Sequence, residues 1–457
     1  TQAWAELERA TRPVHPESAA ALQRRWAELP EGVRTPAQTL GRGAVGCEGT
    51  HGVFPRCNLA CTPCYHSRDA NRVRVDGGHT RQEVAAQMDL LRAVRGPRAH
   101  AQLIGGEVSL LPPDDHAAVL QLMRRRGREP MSMTHGDVDE DYLRALALGT
   151  NGRRRLDRLS FAGHFDMTMY GRRGIPRPAD EESLDPYRRA FTAKFARLRR
   201  QHGVRSFLAH NMTVTATNVD QIAGVVHRCH DAGFGLFSFQ PAAFVGDERR
   251  WRDADGTLTS DAVWAQMERG VGTRLPYRAL QHGDERCNRT TYGFYVGTRY
   301  QPILDDRDRA DLAVRDAYQR HLAGITFGLG SRLALGGKLL RVAARHPGVP
   351  VHFARWTVRT AREVGILNLL RHGVRPVTFV MHSFMDASVV APAWAAIQRG
   401  EECTEPALLE AQQRLRACSY SMAHPETGEL VPACVQHSVL DPVENLALRR
   451  LLPLTPV

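Results

Sequence analysis

Three cysteines, Cys57, Cys61 and Cys64, stand in the run Cys-Asn-Leu-Ala-Cys-Thr-Pro-Cys-Tyr, separated by three residues and then two. A run this tight folds as one loop, so its thiolates converge on a single inorganic group. Thiolates are the usual ligands of iron–sulfur clusters, and a [4Fe–4S] cube normally takes four of them. Three from one loop leave one iron open to a ligand from outside the protein. Structural zinc is the first alternative, although it usually shows paired Cys or His spacings. A disulfide framework fits less well with so large a chain and so few cysteines. Downstream lies Gly105-Gly106-Glu107. Its glycines would let backbone approach a ligand closely, and its carboxylate would accept from a cationic amine.

The surrounding pattern supplies the elements that would hold these groups. His51–Pro55 reads as a short strand entering the cysteine loop, and Ala99–Ile104 as a second that ends at the Gly-Gly-Glu. Further strand-like runs are Pro130–Thr134, Asp157–Phe161, Ser206–Thr215 and Gly235–Phe239, with helical stretches near 80–94, 114–126, 139–148, 180–201 and 219–232 between them. Six βα repeats predict an α/β fold with a parallel sheet and helices outside. Parallel barrels place their chemistry at the C-terminal ends of their strands. The cysteine loop, Gly105–Glu107, Thr134-His135-Gly136 and Gln240-Pro241 all fall there. The chain divides into a helical or extended segment (1–46), the alternating region (47–246) and a C-terminal α+β region (247–457).

The chain has 457 residues, 42% hydrophobic, with a net charge of +12. Nearly all the positive charge is arginine, which suits carboxylate or phosphate partners. Nucleic acid is disfavoured as a partner, since no RNA-binding fingerprint or basic tail is present. No apolar run is long enough to span a membrane, the N-terminus lacks a secretory pattern, and nine cysteines fit a reducing cytoplasm. Residues 320–375 carry ten Arg or Lys against Glu363 alone. They read as core-packing helices with solvated arginines or, alternatively, as a surface for an amphiphilic anionic substrate or peripheral membrane contact.

The cysteine loop followed by Gly-Gly-Glu resembles the radical SAM superfamily. The resemblance implies a partial (βα)6 barrel and a [4Fe–4S] cluster held by Cys57, Cys61 and Cys64. S-adenosylmethionine (SAM) would bind the open iron, with Gly105, Gly106 and Glu107 beside it. An electron, delivered by a reductase such as flavodoxin or ferredoxin, would cleave SAM to methionine and a 5′-deoxyadenosyl radical. By the same resemblance Ser160 would meet the SAM ribose and Arg173 (or Arg172) its carboxylate, while strand alternation points Gln240 towards the barrel mouth or its interior. The residue before the third cysteine, commonly aromatic in the superfamily, is Pro63 here.

Of the remaining cysteines, Cys229 reads as a buried small hydrophobe in a helix. Cys418 and Cys434 bracket a hairpin-like segment with a turn at Pro425–Gly428. Phe239–Gly246, Met381–Asp386 and Cys418–Cys434 resemble the archaeal pterin methylase and tetraether lipid synthase group, as does Cys47 with His51-Gly52. That resemblance implies an auxiliary [4Fe–4S] cluster on Cys287, Cys418 and Cys434, with Cys403 as candidate fourth ligand. Reduced packing cysteines are the alternative reading. His382 and Asp386, four apart, would pair on a helix face. His164 and Asp166 sit near the expected substrate entrance.

The resulting expectation is a radical SAM enzyme. It would take hydrogen from a C–H bond and lead to C–C bond formation or methylation of a small or lipid-like anionic substrate. Peptide or natural-product modification is the second expectation. An iron–sulfur electron carrier or redox sensor is the expectation from another class.

Overall fold

The computed structural model describes residues 15–38, 47–59, 61–96, 99–169, 177–245, 258–323 and 332–455. Its strands are β1 (Cys47–Gly49), β2 (Ala99–Leu103), β3 (Arg128–Thr134), β4 (Arg158–His164), β5 (Arg205–Val214), β6 (Leu236–Pro241), β7 (Asn288–Val296), β8 (Arg299–Pro302), β9 (Arg375–His382), β10 (Tyr420–His424) and β11 (Glu429–Pro432). All join one sheet in the order β11-β10-β1-β2-β3-β4-β5-β6-β9-β7-β8. From β10 to β9 every neighbouring pair is parallel. The antiparallel β11 flanks one end, and the β7–β8 hairpin the other. The sheet curls until its parallel edges approach: the His382 ring at the end of β9 meets the Tyr420 ring at the start of β10, centroids 5.3 Å apart.

The helices on the outer face arise where the sequence alternates. Helix Gly77–Arg95 begins at Asp76, whose carboxylate accepts from the His79 N–H, and ends at Gly96 with φ +74°. Its inner stripe, Val84, Met88 and Leu91, follows helical spacing and is buried against Leu103 and Leu120 in the main core. Helices Pro113–Arg125, Glu140–Ala147, Asp185–His202 and Ile222–Cys229 repeat the arrangement after β2, β3, β4 and β5.

Several expectations change. The first strand is Cys47–Gly49, not His51–Pro55. Gly52 at φ +65° takes the chain out of the sheet, and the Phe54 and Arg56 carbonyls then accept from the Gly106 and Glu107 N–H groups. The C-terminal region supplies both parallel edges, because β9 pairs with β6 and β10 with β1. The polar stretch after 247 contains the β7–β8 hairpin, turned at Gly297 with φ +61°.

Residues 332–372 form helices Arg332–Arg345, Gly348–Val364 and Ile366–His372. The core-packing expectation holds for the middle helix, which buries Val349 and Val364, but not for the other two, where Leu333, Leu340, Leu367 and Leu370 are exposed. In the N-terminal segment, helix Pro16–Glu28 buries Leu22. Among the described residues, no helix is long and apolar enough to cross a membrane.

Candidate active site

The C-terminal ends of the central parallel strands enclose a cavity of roughly 990 Å³, part of it open to solvent. Cys57, Cys61 and Cys64 line one side, all half-buried, and the backbone of Gly105–Gly106 lines the adjoining wall. The loop is fixed locally. The Cys57 N–H donates to Asn71 Oδ1 at 3.0 Å, and the Leu59 N–H faces Cys57 Sγ at 3.4 Å.

The glycines serve a purpose that spacing alone does not reveal. A Cβ on Gly106 would lie 2.0 Å from the Arg56 carbonyl oxygen, and one on Gly105 2.3 Å from the Phe54 ring. Their missing side chains therefore let the turn dock on the chain entering the cysteine loop. Glu107 is fully buried and is not among the cavity-lining residues. Its Oε1 accepts from the Ser109 N–H (3.0 Å), the Ser109 hydroxyl (2.6 Å) and the Thr134 hydroxyl (2.8 Å), and its Oε2 from the His135 N–H (2.8 Å). His135 in turn reaches Asn58 Oδ1 through Nε2 at 2.8 Å, and its Nδ1 accepts from the Asp137 N–H at 3.0 Å. The carboxylate expected at the SAM amine is thus a strut that joins the β2 turn, the end of β3 and, through His135, the cysteine loop.

The opposite wall comes from the ends of β4, β5 and β6. His164, Asp166, Thr168, Asn211, Thr213 and Gln240 line it. Asp166 Oδ2 lies 2.7 Å from His164 Nε2 and accepts from the Thr213 N–H at 3.1 Å. Its Oδ1 accepts from the Thr168 N–H at 2.9 Å and from the Thr168 hydroxyl. Burial opposes ionisation of Asp166, yet the bonds from His164, Thr168 and Thr213 hold its pKa below the ordinary carboxylate value. The wall rests on a buried network: Arg188 donates to Glu181 Oε2 at 2.6 Å, and Glu181 Oε1 accepts from the Met167 N–H at 2.9 Å. Apolar surface completes the cavity at Ile104, Met133, Met169, Val245 and Phe384.

Gln240 therefore stands at the cavity, as alternation along β6 predicts. Ser160 lies deeper in β4, buried, and is not among the residues that line it. Arg173 and Arg172 lie outside the described residues. His382 and Asp386 do not share a helix. His382 ends β9, whereas Asp386 caps helix Ala387–Gln398 and accepts from the Phe244 N–H at 2.7 Å. Sequence reasoning missed Met133, Asn211 and Thr213. Their only signal was position at strand ends.

A second thiol group forms behind Phe384. Beyond burial, Cys287 raises the pKa of the Cys418 thiol, and Cys418 and Cys287 together raise that of Cys434. Arg414 Nε donates to Cys287 Sγ at 3.1 Å. Burial pushes the Cys418 thiol up to about 12 and raises Cys287 and Cys434 as well. The hairpin expected between Cys418 and Cys434 is β10–β11, whose turn ends at Gly428, φ +74°. Cys403 is placed differently: its N–H donates to Gln412 Oε1 at 3.1 Å. Cys229 is fully buried in its helix, as expected.

Nine free thiols and no disulfide occur. Among the described residues, neither trio brings its three sulfurs within 4.8 Å of one another. Thiolates on one zinc at about 2.3 Å bond length would lie about 3.8 Å apart. Each trio is therefore wider than a single zinc ion requires.

No family model matches the chain, and no curated protein does. Among solved structures it is similar to anSMEcpe with bound AdoMet, at 14% identity and a TM-score of 0.29, over 42% of this chain and 49% of that one. SuiB of Streptococcus suis, bound to precursor peptide SuiA, gives 12% identity and a TM-score of 0.29 over 44% and 40%. TYW1 with a lysine–pyruvate adduct bound gives 12% and 0.31 over 47% and 70%. The chain spans about half the length of the first of these. At such scores the likeness carries no weight for this site.

Proposed function

We propose that this chain is a radical SAM enzyme whose cavity binds SAM next to a [4Fe–4S] cluster on Cys57, Cys61 and Cys64. One observation carries the reading. Three half-exposed thiols of one loop open onto the cavity whose wall is the Gly105–Gly106 backbone, and Glu107 locks loop and wall together. The group, when bound and reduced, supplies the electron that cleaves SAM to methionine and a 5′-deoxyadenosyl radical.

The chain's own residues have separable tasks. The cysteine thiolates hold the cluster and leave one iron open. Gly105–Gly106 offers backbone to the polar end of SAM, and His164, Asn211 and Gln240 offer side chains across the cavity. Phe384, Met133 and Val245 keep water from a reactive carbon. Cys287, Cys418 and Cys434 would hold a second cluster, with Arg414 offsetting thiolate charge.

The substrate is proposed to be small or lipid-like and anionic, and the outcome C–C bond formation or methylation. The apolar cavity lining supports this, as do helices 332–372, which expose Leu333, Leu340, Leu367 and Leu370 among arginines. A flavodoxin or ferredoxin would deliver the electron. The test is anaerobic reconstitution with iron and sulfide, then SAM and dithionite, with 5′-deoxyadenosine quantified. Its formation, dependent on the three loop cysteines, is the expected result. Bound iron without SAM cleavage would instead favour an electron carrier.

A further inference from the structure

At the edge where β10 joins β1, the register sets two histidines side by side. Cys47↔Tyr420 through Gly49↔Met422 pair in parallel, and the same offset carries His51 onto His424. Their rings stack with centroids 4.1 Å apart. Glu444, on helix Asp441–Leu451, closes the group: one carboxylate oxygen lies 3.0 Å from His51 Nδ1, the other 3.8 Å from His424 Nδ1.

The hydrogen bonds on the far side of each ring fix which nitrogen carries the proton. His51 Nε2 lies 2.8 Å from the Ala423 carbonyl oxygen, where it can only donate. His424 Nε2 faces Gln436 Oε1 at 2.5 Å. The Gln436 amide nitrogen is already spent, donating to Asp441 Oδ1 and Glu444 Oε2, each at 2.9 Å. His424 must therefore donate from Nε2 as well. Against the effect of burial, Glu444 raises the pKa of His51 through the bond at Nδ1, so a proton holds that position until an ion displaces it; with both rings neutral, two Nδ1 lone pairs and one carboxylate face one another. Rings anchored by the far N–H to oxygen, and a carboxylate held by an amide, are what orient metal ligands.

We propose that His51 Nδ1, His424 Nδ1 and Glu444 form a site for one divalent transition metal, zinc or a close relative, separate from both cysteine groups. Among the described residues, this is the one trio of His, Cys, Asp or Glu whose ligand atoms all lie within 4.8 Å of one another. Donors of a tetrahedral ion bound at 2.0–2.2 Å stand about 3.4 Å apart, and the 3.0 and 3.8 Å separations bracket that value. Two imidazoles and one carboxylate leave a fourth position for water, and Glu444, 30% exposed, gives the ion a way in.

The metal would act as a clamp. The helix of Glu444 also carries Arg449, paired with Asp69 at 2.9 Å. Asp69 lies in the turn after the cysteine loop, and His51 in the segment before it. An ion at this point joins the C-terminal helix to both flanks of the loop.

The test uses the full chain loaded with iron and sulfide, washed with a weak chelator, supplied with zinc(II) and washed again. Wild type should retain about one more zinc per chain than Glu444→Gln, a near-isosteric change, and His424→Ala should lose the same ion. X-ray absorption on that zinc should show nitrogen and oxygen neighbours near 2.0 Å. Circular dichroism and iron content, unchanged in Glu444→Gln, establish that the variant is folded. Equal zinc in wild type and Glu444→Gln, or sulfur neighbours near 2.3 Å for the ion they differ by, would overturn the proposal. No retained zinc at all would mean that a proton alone bridges His51 and Glu444. The outcome is independent of whether SAM is cleaved.

Discussion

The two cysteine groups are built in opposite ways. Cys57, Cys61 and Cys64 come from one loop, sit half-exposed on a cavity and are braced by the Gly105–Glu107 turn. Cys287, Cys418 and Cys434 come from segments far apart in sequence, and burial raises all three thiols. A reactive group needs access for ligand and electron, whereas a relay or anchor needs insulation. On the proposed reading, SAM belongs to the first group and the second is its shielded companion.

The largest expected effect breaks the comparison at its open side. Cys57→Ala/Cys61→Ala/Cys64→Ala should lower iron by about four per chain and reduce 5′-deoxyadenosine to the level without enzyme. Cys418→Ala/Cys434→Ala should also lose about four iron yet still form 5′-deoxyadenosine when dithionite is the donor. Loss of cleavage in both would erase the distinction.

Next come changes that touch one group alone. Gly106→Ala drives a methyl into the Arg56 carbonyl, so overpacking should cost about 1–3 kcal/mol in urea unfolding and lower SAM cleavage while the iron on the buried trio stays. Glu107→Gln replaces an acceptor-only carboxylate with an amide that cannot accept from all of Ser109, Thr134 and His135. A stability loss of about 1–3 kcal/mol is expected. SAM binding by isothermal titration should weaken less than it does in Gly106→Ala.

The smallest effect tests the scaffold common to both. Burial, helped by Arg155, lowers the pKa of His116 to about 3, and its ring is bonded to Tyr142 and Ser132. Its folded value lies below the unfolded one, so its contribution is intact above about pH 6.5 and is lost as pH falls toward about 3. Between about pH 7 and pH 5 this ring alone should cost about 2 kcal/mol. A His116→Gln variant should show a flatter acid limb in urea midpoints, with the iron of both groups unchanged.

The same contrast explains what the sequence made legible. The loop thiols and Gly-Gly-Glu are local, so spacing reveals them, and the five parallel strands after β1 follow from alternation. Spacing cannot reveal direction: Glu107 reads as a ligand, but its oxygens point into Ser109, Thr134 and His135. Pairing across long separations is likewise silent. Only the register of β10 on β1 places the Cys418 hairpin and His424 beside residues near the N-terminal end. The exposed leucines of helices 332–372 read as core because their apolar spacing is the same whether a partner covers them or not.

The most direct test of the contrast is electron paramagnetic resonance of the dithionite-reduced, reconstituted chain, with and without SAM. SAM should alter one signal, and that signal should vanish in Cys57→Ala/Cys61→Ala/Cys64→Ala while the other persists unchanged. A signal that still responds to SAM after those three cysteines are removed would contradict the assignment of SAM to the open loop.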